Sequence, residues 1–217
     1  MANVQEWLDE KYPKEVRSSI IDLDISRQEL EGNLKLEGFS KLEILTCHSN
    51  KLTGLNLSEA IQLEEVDCSN NLLTDMIFSL QGPKNLTRIY LNNNNFPLQG
   101  LDRFQNFVNL EHLAVGNDDE KKIKQGIYNR FYGSLKLLKN LTNLECLDIE
   151  GTDVDSGSEY LPTQNLKEFC CAAIRKKAKV ENIKNTLDLS EEEAKSAEKK
   201  ISEHKINKIR NFQLCCL

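Results

Sequence analysis

The chain has 217 residues, 28 Lys+Arg against 34 Asp+Glu, a formal net charge of −6, and 39% apolar but only 6% aromatic residues. That length can hold a core without disulfide staples. The acidic balance argues against a nucleic-acid surface, and no apolar run reaches the ~18 residues of a membrane span.

The N-terminus, MANVQEWLDEKYP, has neither a basic n-region nor an apolar h-region. No secretory signal is therefore read there, and a reducing, cytoplasmic setting is expected. Residues 1–19 read as an N-terminal helical cap. Within it, 3–10 form a short helix: Asn3 can cap it, with Glu6 at the capping-box position, and Val4, Trp7 and Leu8 make an apolar face.

From residue 20 a repeat governs the chain. The windows LEILTCHSNKL and LEEVDCSNNLL place Cys47 and Cys68 21 residues apart in the same context. They give the template L-x-x-L-x-L-x-x-N-x-L. It fits Ile20, Leu23, Ile25, Gln28, Leu30, then Leu42, Leu45, Cys47, Asn50, Leu52. Leu63, Val66, Cys68, Asn71, Leu73 and Leu86, Ile89, Leu91, Asn94, Phe96 follow. The fifth copy is Leu110, Leu113, Val115, with Asp118 in the Asn slot. The sixth is Leu144, Leu147, Ile149, Thr152, Val154, and a seventh begins at Leu166, Phe169, Cys171. Successive starts are 22, 21, 23, 24, 34 and 22 residues apart. The template resembles the leucine-rich-repeat signature.

Each slot has a physical reading. The L-x-L centre has period 2, which predicts a short strand with one buried face. Cys47, Cys68 and Cys171 stand in the third slot as small hydrophobes. The Asn slot falls where the chain leaves the strand, and its amide can satisfy backbone groups there. Asn50, Asn71 and Asn94 form a structural ladder on this reading. One repeat cannot bury its own apolar face, so stability comes from stacking. Strands ~4.8 Å apart give a curved sheet roughly 30 Å across for seven repeats. The fold expected is an α/β leucine-rich-repeat solenoid over 20–171. A parallel sheet lines its concave face and short turns or helices its convex face, with a helical cap and a helical tail.

The 34-residue step marks an insertion at 116–140. Ile123, Ile127 and Phe131 fall at i, i+4, i+8, so part of it is predicted helical, capped by Asp118 or Asp119. It projects beside the binding face or packs on the convex side. Residues 172–217 then hold 11 Lys+Arg and 7 Asp+Glu, a net of +4, against −10 for 1–171. Val180, Ile183, Leu187, Ala194, Ala197 and Ile201 keep approximate a/d spacing. That leaves open a coiled-coil or partner-binding helix in an otherwise monomeric protein. The chain ends Gln-Leu-Cys-Cys-Leu, which is not a CaaX box. Lipidation of Cys215 and Cys216 would make a membrane-tethered regulator, the alternative to a soluble module.

The seven cysteines form no CxxC pair and no His lies at zinc-finger spacing, so neither a metal nor a cofactor is expected. His48 and Ser69 can approach across adjacent repeats, but nothing in their context marks a nucleophile beside a base. The chain reads as a non-catalytic interaction module for signalling or scaffolding. Its partner-binding face is formed by the variable positions around each L-x-L: Asp22 and Asp24, His48, Glu65 and Asp67, Arg88, Tyr90 and Asn92, His112, Asp148 and Glu150. Arg and Tyr are enriched among interface hot spots, and acidic groups flank them, so the expected partner is a protein or peptide of basic character.

QGIYNRFYGSLKLLKNLTNLECLDIEGTDVDSGSEYLP, with NVQEWLDEKYP and LEEVDCSNNLLT, is similar to a greatly expanded leucine-rich-repeat family of arbuscular-mycorrhizal fungi. The resemblance covers roughly residues 1–171. It implies an intracellular interaction module, in some members followed by a protein kinase or other domain. It carries over no catalytic residue, and this chain has neither HRD nor DFG.

Overall fold

The computed structural model describes residues 2–77 and 84–188. The strands described alternate along the chain between two faces. The odd-numbered ones are β1 (Asp22–Asp24), β3 (Ile44–Thr46), β5 (Glu65–Asp67), β7 (Arg88–Tyr90), β9 (His112–Ala114), β11 (Cys146–Asp148) and β13 (Glu168–Cys170). They pair in that order into one parallel seven-stranded sheet. All seven fall on the L-x-L centres of the template. The central residue of each strand points inward, and Leu23, Leu45, Val66, Ile89, Leu113, Leu147 and Phe169 are all fully buried. The third slot makes a second buried ladder that includes Cys47, Cys68 and Cys171. Thiols pack there as apolar groups, and burial pushes the Cys68 thiol up.

The even-numbered strands form two smaller parallel sheets on the opposite face. β2 (Glu31–Lys35), β4 (Lys51–Asn56) and β6 (Asp75–Ile77) make one; β8 (Gln99–Gly100), β10 (Phe131–Ser134) and β12 (Asp153–Ser156) make the other. Among the described residues the ladder is interrupted between β6 and β8, and Arg103 lies there. Its guanidinium donates to Met76 O at 2.8 Å and Gln99 Oε1 at 2.8 Å, and stacks 5.7 Å from the Phe96 ring. It supplies to the edge carbonyl of β6 a donor that a neighbouring strand would otherwise give.

The Asn slot holds the stack together. In each ladder residue the side-chain Nδ2 donates to carbonyls of its own repeat and of the repeat before, while Oδ1 accepts an N–H of the repeat before. Asn71 illustrates it: Nδ2 meets Cys47 O at 2.9 Å and Cys68 O at 3.2 Å, and Oδ1 receives Leu52 N at 3.0 Å. Asn50 does the same with Ile25, Cys47 and Leu30, and Asn94 with Cys68, Leu91 and Leu73. The residue just before each has φ of 55–57°: Ser49, Asn70 and Asn93. Asn tolerates that left-handed turn better than most residues.

In the fifth repeat the structure corrects the expected register. Asp118 does not fill the Asn slot. Asn129 does: Nδ2 donates to Leu91 O at 2.8 Å and Val115 O at 3.0 Å, and Oδ1 receives Phe96 N at 3.3 Å. The extra residues are interposed inside the repeat, between Val115 and Asn129, so the insertion ends before residue 129 rather than at 140. Phe131 belongs to β10 and to the core, with Phe96 and Phe104 at ring distances of 5.7 and 5.8 Å. The inserted helix is only α3 (Glu120–Lys124), N-capped by Asp119. It lies at the rim where the β5 and β7 strands exit: Lys122 Nζ donates to Asn71 O at 2.9 Å and Asn93 O at 2.8 Å.

At the N-terminus, α1 (Val4–Lys11) is capped by Asn3 Oδ1, which accepts from Gln5 N and Glu6 N. Val4 and Leu8 are fully buried, and Trp7 is half-buried against them. The helix closes the edge of β2, where Glu31 N donates to Ala2 O at 3.0 Å. After it comes a short turn of helix, α2 (Lys14–Arg17). Arg17 is 1% exposed. It bonds Tyr12 O at 2.8 Å, Glu37 O at 3.2 Å and Asp9 at 2.5 Å. A buried guanidinium so fully partnered ties the cap to the repeats.

At the other end the packed body continues beyond residue 171. Ala178, Val180 and Ile183 are buried in the common core, and α4 (Glu181–Asp188) follows. Val180 and Ile183 therefore face the solenoid, not a coiled-coil seam. Ala194, Ala197 and Ile201 of that pattern, and Cys215 and Cys216, lie outside the described residues.

Removing a ladder amide leaves buried donors and acceptors unmatched, at ~1–3 kcal/mol each. Asn129→Ala should thus cost roughly 2–4 kcal/mol, as much as Asn94→Ala, while Asp118→Ala should cost much less. Urea unfolding of the three variants measures this; equal losses for Asp118 and Asn129 would contradict the register.

Candidate functional site

The outward side chains of the seven-stranded sheet fall into rows set by strand pairing. Asp22, Ile44, Glu65, Arg88, His112, Cys146 and Glu168 are in register, as are Asp24, Thr46, Asp67, Tyr90, Ala114, Asp148 and Cys170. His48, Asn92 and Glu150 lie two residues further along their chains, just beyond their strands. Every residue anticipated for the binding face is thus on or next to one sheet face. Two members of the second row, Ala114 and Cys170, are buried, at 6% and 8% exposure.

The centre is a network already closed on itself. Arg88 Nε donates to Glu65 Oε2 at 2.6 Å, and its Nη1 lies 3.9 Å from Glu111. The Glu65 bond holds the guanidinium even more firmly charged than usual. Tyr90 Oη pairs with His112 Nδ1 at 3.1 Å, with the rings edge-to-face at 6.1 Å. Burial raises the phenol's pKa.

The row of aspartates is held differently. Asp24 Oδ1 accepts Ser26 N at 2.8 Å, Asp67 Oδ1 accepts Ser69 N at 3.0 Å, and Asp148 Oδ1 accepts Glu150 N at 2.9 Å. In repeats one, three and six, the backbone amide two residues on fixes the carboxylate. The Ser26 amide keeps Asp24 below the usual carboxylate range. Asp148 goes the other way: burial pushes it up to about 6. Glu150 rises to about 7, through burial first and then the charges of Asp148 and Asp118. Among the described residues, none of these three carboxylates has an ion-pair partner within 4 Å. Asn92 Nδ2 does reach over β9 to Asp148 Oδ2. That reach requires small residues beneath it, Ala114 and Gly116, and a Cβ on Gly116 would overlap Asp148 Oδ1.

The insertion forms the rim beside this end. Asn93 Oδ1 accepts Asp118 N at 2.9 Å and Asp119 N at 3.0 Å, and its Nδ2 returns a bond to Asp118 Oδ1. Burial lowers the pKa of Lys122, whose Nζ is held by the two rim carbonyls. The template search missed Gly116, Asn117, Lys122 and Asn129. Asn129 was detectable, because Asn129-Arg130-Phe131 repeats the spacing of Asn94-Asn95-Phe96.

No catalytic pairing arises on this face from His48 and Ser69. His48 Nδ1 meets Ser49 Oγ at 3.0 Å, and Ser69 Oγ donates to Asp67 at 2.7 Å. Among the described residues, no three His, Cys, Asp or Glu side chains are grouped to hold a metal ion.

The raised carboxylates have a thermodynamic consequence. Asp148 and Glu150 hold protons to higher pH in the folded chain than in the unfolded one, so the folded state binds more protons between pH 4 and pH 7. Their contribution to stability is intact below about pH 4 and lost as pH rises through about 6–7. Asp148→Asn should raise Tm by roughly 2–6 °C at pH 8 and change it little at pH 4. Thermal melts across that range test this, and a pH-independent effect would refute the assignment.

The chain resembles several known repeat proteins. It is 33% identical over 98 residues to the oligodendrocyte-myelin glycoprotein of Homo sapiens, a match covering 44% of this chain and 22% of that protein. The plant peptide hormone receptor RGFR1, in complex with RGF2, superposes with a TM-score of 0.54 at 24% identity, over 73% of this chain and 29% of the receptor. A TDR receptor gives 0.56 at 22% identity, over 78% and 33%. The leucine-rich-repeat domain of LRIM1 gives 0.50 at 15% identity, over 77% and 56%. The chain thus spans a third or less of the glycoprotein and of the two receptors, and the superpositions establish the shared fold. The model of the family described as Zer-1-like, leucine-rich repeats, matches residues 51–173, more than half of the chain, and the protein belongs to that family.

Proposed function

We propose that this protein is a non-catalytic binding module that takes a protein or peptide partner on the seven-stranded face. The observation that carries this reading is the sheet itself: seven parallel strands set a register row of side chains, Asp24 to Asp148, on the outer side of one surface. Solenoids use such a surface for extended recognition. Tyr90 and Arg88 at its centre have the chemistry of interface anchors, and each is pre-oriented by a neighbour, which lowers the entropic cost of binding. One protein of the same fold is a peptide hormone receptor seen in complex with RGF2, which is consistent with this use of the face. The similarity to the fungal repeat family and the core packing of Cys47 and Cys68 both favour a role inside the cell, in signalling or scaffolding.

The test is affinity capture from source cells with the intact chain, compared with a Tyr90→Ala, Asp67→Lys double variant and with Asp155→Asn on the opposite face. Circular dichroism checks that all three are folded. Partners retained by Asp155→Asn and lost by the double variant are expected, with affinity down at least about tenfold, or 1.4 kcal/mol. Full retention by a folded double variant would exclude this face.

A further inference from the structure

The same face also carries information about its partner's chemistry. Its outward acidic groups are Asp22, Asp24, Glu65, Asp67, Asp148, Glu150 and Glu168, and its one arginine, Arg88, is engaged by Glu65 and Glu111. Within this set, Asp24, Asp67 and Asp148 share one register row. Each is anchored by the amide two residues on. Two strand intervals separate the first pair and three separate the second. At ~4.8 Å per interval these are roughly 10 Å and 14 Å. An extended chain rises ~3.3 Å per residue and turns every second side chain to the same face, so flexible side chains two and four residues apart, about 7 Å and 13 Å along the backbone, span the two intervals. Between the second and third stations lies the half-buried Tyr90 ring, which can meet an apolar side chain, while Ala114 is buried beneath Asn92.

We propose that this row is a three-station docking surface for an extended basic segment of a separate protein. Its lysine or arginine side chains would stand at i, i+2 and i+6, all on one face of the segment, with an aliphatic residue at i+4. The assignment rests on the binding-face reading above and adds the ligand's charge and spacing. The chain's own basic C-terminal segment is a poorer occupant by sequence: no three of the lysines and arginines in 189–217 repeat that spacing in either direction.

The experiment uses fluorescence anisotropy with the full-length chain and two labelled synthetic peptides of identical composition. One places three lysines at i, i+2 and i+6 in a serine–glycine background with one leucine at i+4. The other places the three lysines consecutively. The spaced peptide is expected to bind about fivefold tighter or more, with the advantage shrinking as salt is raised. A triple variant, Asp24→Asn, Asp67→Asn, Asp148→Asn, is expected to lose that advantage, whereas Asp155→Asn keeps it. Replacing carboxylate by amide preserves an acceptor for the anchoring N–H, and circular dichroism confirms the fold. Equal affinity for both peptides, or an unchanged triple variant, overturns the proposal. It leaves the binding-face reading intact if the Tyr90→Ala, Asp67→Lys variant still loses cellular partners. Displacement of the probe by a synthetic peptide of residues 199–210 at lower concentration than by unlabelled probe also overturns it, by giving the face to the chain's own segment.

Discussion

Everything in this fold depends on how a chain can leave a buried strand without abandoning its backbone hydrogen bonds. At each turn out of the large sheet, carbonyl oxygens and an N–H are shut away from water. A carboxamide is suited to the problem, because it offers two donors and an acceptor on one short, rigid group. Asn71 uses them to bind Cys47 O, Cys68 O and Leu52 N together. A carboxylate in that place would present acceptors to acceptors, which is why Asp118 stands outside the ladder and Asn129 within it. The ladder fixes the strand register, and the register decides which side chains share a row on the open face.

Much of this was legible in the sequence. The L-x-L centres gave all seven strands of the main sheet, because period-2 burial is a local property that four or five residues display. Asn3 as a helix cap was legible for the same reason. The failures share a cause: they depend on contacts distant along the chain. The insertion was located, but not its place within the repeat, since a fixed-length template cannot see residues interposed between Val115 and Asn129. Arg17 gave no signal, because its burial depends on Glu37 O and on Phe39, twenty residues away. The apolar spacing of Val180 and Ile183 was real, but periodicity does not say whether a face meets a partner helix or the end of the same core.

The binding face divides in the same way. Its acidic and aromatic positions follow directly from alternation. Its electrostatics do not. Asp148 and Glu150 are perturbed because Ala114 and Gly116 let Asn92 cross a strand, and because the insertion places Asp118 beside them. Arg88, prominent in the sequence as the one basic residue of the face, is largely neutralised by Glu65. The available charge therefore lies in the aspartate row.

The asparagine contacts also give the solenoid a polarity. Each ladder residue reaches back to satisfy the repeat that precedes it, never the one that follows. A repeat is thus fully bonded only where its successor is in place, so the closing contacts all run in one direction along the array. The series stops where Thr152, too short to reach back, bonds only within its own repeat, to Ile149 O at 2.7 Å. Duplication or loss of repeats is then not symmetrical: a unit gained must bring its own asparagine, and loss of the last asparagine-bearing unit strips the closure from its predecessor.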